Sequence, residues 1–153
     1  LYTIGQMLDI SRQKAAEQAL RASAVRFRAI FDNANTGIVA TDEHDGVGYF
    51  NEAFRKMLDR TGETLRRLTL ADFTHPDDLQ RERRLLDEIR TGERENYRLE
   101  KRYLRPDGSI LWVDSSVSPI RDQDRRIVSF VGVVYDVTER KEAELALSDS
   151  RQK

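Results

Sequence analysis

The chain carries the same twenty-residue pattern near both of its ends. Residues 4–23 read IGQMLDISRQKAAEQALRAS and residues 131–150 read VGVVYDVTERKEAELALSDS, aligned without gaps at an offset of 127. Gly5, Asp9, Lys14, Ala16, Glu17, Ala19, Leu20 and Ser23 recur as Gly132, Asp136, Lys141, Ala143, Glu144, Ala146, Leu147 and Ser150. Each copy is an apolar, strand-like run, then Asp-x-Ser or Asp-x-Thr, then a charged helical stretch. A repeat of this kind sets the punctuation of the chain. Residues 1–10 read as a remnant of the last strand of a preceding domain, and 11–30 as a linker helix. Residues 31–138 read as one complete domain, and 139–153 as the start of an outgoing coiled-coil helix. Asp9 with Ser11 and Asp136 with Thr138 are expected to cap the two helices where strand gives way to helix.

The linker has a stripe of its own. Ala16, Leu20, Ser23, Phe27 and Ile30 fall at heptad spacing, and Ala143, Leu147 and Ser150 repeat the phase. A helix with that stripe cannot bury it alone, so it is expected to pair with its own sheet, with a second copy, or with both. Hydrophobic residues make up 39% of the chain and charged residues 35%, enough for one core under a highly charged surface. The net charge of −1 gives no field that would hold nucleic acid or an anionic membrane. No apolar run approaches the length of a membrane span, and the expected setting is cytoplasmic. There is no cysteine, which excludes disulfides, thiolate catalysis and cysteine metal sites. His44 and His75 are the only imidazoles, and no metal site is expected.

Between the repeats the pattern is α+β. Gly37–Asp42, the turn Asp45-Gly46 and Val47–Phe50 form a hairpin signal. Asn51–Leu58 has helical spacing, with Phe54, Met57 and Leu58 on one face. Thr74-His75-Pro76-Asp77-Asp78 opens a second helix, proline first and acids in the first turn, and Gly92 ends it. Strands over 95–105, 109–121 and 126–137 then make a meander. The expected architecture is a five-stranded antiparallel sheet with short helices on one face, flanked by N-terminal and C-terminal linker helices.

That order resembles the PAS family with its C-terminal PAC segment. The matching phrases are FRAIFDNANTGIVATD, YFNEAF, FTHPDD, RPDGSILWVDSSVSPIRD and FVGVVYDVTERKEAE, spread over residues 27–144. Arg66-Arg67-Leu68 departs from the family pattern, where a glycine is common. The resemblance implies a sensory and regulatory module in signal transduction, without catalysis of its own, from a tandem array in a bacterial-type protein. Its effectors would be of the histidine kinase (two-component) or diguanylate cyclase type. The alternative is a ligand-free dimerisation spacer with no sensing role.

The family's pocket lies between the inner sheet face and the helices, and strand alternation names its lining. Val113, Ser115 and Val117 would face in, with Tyr103, Phe130 and Val134 beside them, and Val39, Thr41, Phe54, Leu86 and Ile89 completing the wall. Lys101, in phase with Tyr103, is expected to snorkel to the rim, the other option being an inward turn toward a carboxylate. Trp112, Val133 and Tyr135 would face outward. With Leu20, Phe27 and Ile30 they form the expected homodimer and outer-sheet interface. Asp136 and Thr138 are the expected relay to the outgoing helix. Cysteinyl-flavin chemistry is excluded by the absent cysteine. Haem lacks a histidine within the helix over 77–91, since His75 precedes it. Non-covalent flavin, a small organic ligand and an unliganded core remain open.

Overall fold

A computed structural model of the chain describes residues 3–33, 36–42 and 44–152. Two units are resolved: a long helix α1 (Ile4–Asn33) and the domain that follows it. The domain runs β1 (Gly37–Thr41), β2 (Val47–Phe50), α2 (Glu52–Leu58), α3 (Gly62–Arg66), α4 (Leu70–Phe73), α5 (Pro76–Arg90), β3 (Tyr97–Leu104), β4 (Ile110–Arg121), β5 (Ile127–Asp136) and α6 (Thr138–Gln152). The five strands form one antiparallel sheet in the order β2-β1-β5-β4-β3, matching the expected fold.

Each short helix is fixed by its own cap. Asn51 Oδ1 accepts from Phe54 N at 3.0 Å and from Ile38 N at 3.0 Å, so one side chain starts α2 and ties it to β1. Thr61 caps α3, and Thr69 with Asp72 forms a capping box on α4. His75 caps α5 through Nδ1, which accepts from Asp77 N at 3.1 Å. Pro76 then occupies the first turn, where a missing N–H costs nothing. The core follows from these placements. Phe54, Leu58, Leu65, Phe73, Tyr103, Leu111, Val113 and Val134 are sealed between the helices and the sheet. A second cluster gathers Ile89, Tyr97, Leu99, Val117 and Phe130 under α5.

The two copies of the repeat fold differently. The outgoing copy is strand to Asp136 and helix from Thr138, the expected form. The incoming copy is helical from Ile4 onward, so the strand expected before residue 11 and the cap expected at Asp9 are not formed. A single strand without a neighbour leaves its N–H and C=O groups unpaired, whereas a helix satisfies them within the segment. Thr3 and Gln6 supply the start: Thr3 N donates to Gln6 Oε1 at 2.8 Å, and Gln6 N to Thr3 Oγ1 at 3.2 Å. Residues 1, 2 and 153 of the expected segments lie outside the described residues. Leu20, Phe27 and Ile30 are all exposed on α1, with Phe27 stacked on Phe31 at 5.4 Å.

Two hairpin turns of the meander solve one backbone problem in different ways. Gly108 takes φ +85° between β3 and β4, and Arg125 takes φ +65° between β4 and β5. The left-handed region costs an L-residue with a bulky side chain about 1 kcal/mol, a penalty glycine escapes. Arg125→Gly is expected to raise the unfolding free energy by about 1 kcal/mol, read from urea denaturation followed by circular dichroism.

Candidate functional site

A cavity of about 250 Å³ lies between α5, the α4 region and the inner face of the sheet. Val39, Thr41, Leu86, Tyr103, Ser115, Val117 and Phe130 line it, as do Tyr97, Gly132, Glu82 and Lys101. Exposed His44, Asp45 and Arg83 mark its mouth. Phe54, Ile89, Val113 and Val134, assigned to the wall from sequence, are instead packed into the core clusters. For Phe54, Val113 and Val134 the reason is aromatic volume. Phe54, Phe73 and Tyr103 meet edge to face at centroid distances of 5.2 to 6.3 Å and plug that end of the interior. The open space is displaced toward α5.

The deep wall holds a feature that sequence reasoning placed wrongly. Lys101 does not snorkel to the rim; it is 1% exposed, and its Nζ donates to Glu82 Oε2 at 2.5 Å. Its ammonium also sits 4.8 Å from the Tyr103 ring centre. Burial alone would pull the proton from Lys101, but the Tyr103 and Glu82 oxygens around it outweigh that and shift its pKa upward. Burial pushes the hydroxyls of Tyr97 and Tyr103 up as well, so both remain protonated donors. The signal for the pair was present in the chain. Lys101 is in phase with Tyr97, Leu99 and Tyr103 on β3, and Glu82 is on the same α5 face as Leu79, Leu86 and Ile89. Two opposite charges, each on an apolar face, satisfy one another.

The other face of the sheet carries the root of α6. Thr138 N donates to Asp136 Oδ1 at 3.0 Å, and Thr138 Oγ1 accepts from Trp112 N at 3.0 Å. Val137 N donates to Trp112 O at 2.9 Å. The Arg102 guanidinium lies 5.2 Å and the Lys141 ammonium 4.8 Å from the centre of the Trp112 ring. Glu100 meets Arg140 at 2.9 Å and Lys141 at 3.2 Å. Trp112 is thus half covered by the first turns of α6, while Val133 is half-buried and Tyr135 exposed. Asp114, also outward, is buried under Arg98. Among the described residues, no three His, Asp or Glu side chains converge as a metal site.

A single antiparallel sheet holding a cavity on one face and an exit helix on the other is the architecture of a sensory signalling domain. The chain belongs to the PAS-fold family, whose sequence profile matches residues 47–134. It is 30% identical over 142 residues to the sensor histidine kinase TmoS of Ectopseudomonas mendocina, covering 92% of this chain and 14% of that protein. It is 27% identical over 131 residues to the probable diguanylate cyclase DgcE of Escherichia coli, covering 86% and 12%. The chain therefore spans less than a fifth of the length of these relatives. The crystal structure of a PAS domain from Colwellia psychrerythraea superposes with a TM-score of 0.67 at 22% identity, covering 76% of this chain and 98% of that one.

Two outcomes follow from the charges. Lys101→Met strands a buried carboxylate and is expected to cost about 3–5 kcal/mol. Adding Glu82→Gln removes both charges and is expected to recover most of that loss in the same urea titration. On acidification, Asp78 and Asp114 are two buried carboxyls that contribute to the response. Burial pushes Asp78 up, but bonds from the Arg102 guanidinium and N–H outweigh it; the Arg98 guanidinium holds Asp114 down. Both carboxyls titrate lower folded than unfolded, so the unfolded chain binds protons first as pH falls. The melting temperature is expected to hold near neutrality and drop below about pH 4, with a shallower drop in Asp78→Asn by scanning calorimetry.

Proposed function

We propose that this domain senses a small molecule in its interior cavity and passes the event through α6 to an effector of the histidine kinase or diguanylate cyclase type. The observation that carries the reading is the position of β3 and β4 between cavity and exit helix. On β3, Lys101 points inward to Glu82 while its neighbour Glu100 points outward to Arg140 and Lys141. On β4, Ser115 lines the cavity and Trp112, three residues away, seats Thr138. A ligand that moves either strand changes the footing of α6, whose available responses are tilt, rotation or changed pairing. The exposed stripe Leu20, Phe27 and Ile30 on α1, with Val133 and Tyr135, supports a homodimer in which such changes have a partner helix to act on. The repeat supports a tandem array of such domains. No described helix is long and apolar enough to cross a membrane, and we place the domain in the cytoplasm.

Thr138→Val combined with Glu100→Gln cuts the tether without touching the cavity. Amide hydrogen exchange is expected to rise through the first turns of α6 while the sheet keeps its protection. Unchanged protection in α6 would refute the relay.

A further inference from the structure

The buried pair in the cavity wall sets what kind of molecule the cavity accepts, an inference that rests on the ligand-sensing reading above. Among the described residues, Lys101 Nζ, with three donors, meets one carboxylate oxygen, Glu82 Oε2. Glu82 Oε1 takes no bond from the described residues, and it is not sealed away either, since Arg60 Nε is the only such stranded atom among them. Both side chains line the cavity, and between them Lys101 Nζ and Glu82 Oε1 have bonding capacity left for a guest. Their charges already cancel. A further anion would stand in the interior with no counter-charge of its own, at a heavy desolvation cost. The remaining wall is mostly aromatic and aliphatic, from Tyr97, Phe130, Val39 and Val117, with the Thr41 and Ser115 hydroxyls among them and the exposed charges of Asp45 and Arg83 kept at the mouth. At about 30 Å³ per water-sized group, the volume holds about eight non-hydrogen atoms.

We infer that the cavity recognises a small, uncharged molecule with an apolar body and an amide-type edge, whose acceptor meets Lys101 and whose donor meets Glu82. Anions of the same shape are rejected.

Benzamide, benzoate and toluene share one shape and differ only in the head group. Each is titrated into the wild-type domain while ¹H–¹⁵N correlation spectra are recorded. Benzamide is expected to shift the amides around Lys101 and Ser115 and to bind at least about tenfold more tightly than the other two. Glu82→Gln leaves the ammonium without its anion and is expected to reverse the order of benzamide and benzoate. If that variant does not fold, Glu82→Gln with Lys101→Met, lacking both charges, must bring benzamide down to the affinity of toluene. Benzoate or toluene matching benzamide in the wild type overturns the inference and leaves the sensor reading standing. No shift with any of the three overturns both.

Discussion

Everything in the domain hangs on β5, the central strand, which pairs with β1 on one side and with β4 on the other. It joins β1 through Gly37 to Val134 and Ala40 to Val131, and it joins β4 from Val113–Asp136 to Arg121–Ile127. The first hairpin and the final meander are far apart in sequence, and this strand alone makes them one sheet. Its ladder closes long loops, so their entropy is recovered only when β5 is in place. The inward residues Phe130, Gly132 and Val134 then define the floor of the interior, and Asp136 fixes where the chain must leave. Cavity and exit are consequences of one strand's register.

The interior shows how a sheet domain can keep space without collapse. Phe54, Phe73 and Tyr103 fill one end densely, while the other end is framed by α5 and the ion pair. An ion pair is an uneconomical way to build a core, since apolar residues of equal volume are often as stable or more so. Here the pair stands beside open space, where its polar atoms form part of the cavity wall. Because Lys101 and Glu100 are neighbours on β3, the ion pair of the interior and the ion pairs to the outgoing helix lie one peptide unit apart.

The outer face of the sheet carries a similar economy. Trp112, the chain's one tryptophan, is placed outward by strand alternation, and cations from β3 and α6 come to rest over its ring. The outward apolar ring becomes a seat for the exit helix because Arg102 and Lys141 flank it. Tyr135, lower on the same face, has no such cover and stays exposed.

Local signals in the chain determined the elements. Alternation over residues 97–104, 110–121 and 127–136, caps at Asn51, Thr69 and His75, and the Asp-Gly turns are properties of a few adjacent residues. The inward and outward faces of the strands followed from the same alternation. Tertiary structure decided what those faces meet. Which inward side chains pack and which line open space depends on aromatic volumes brought from distant helices, so Phe54 and Val113 went to the core and Ser115 to the cavity. Whether Lys101 reached water or a carboxylate depended on Glu82, nineteen positions away on a helix. The repeat makes the point most sharply. One sequence pattern is strand then helix at Val131–Ser150, where β1 and β4 offer ladders, and helix throughout at Ile4–Ser23, where no strand among the described residues pairs with it. A strand is completed by its neighbours, and a sequence states its own half of the hydrogen bonds only.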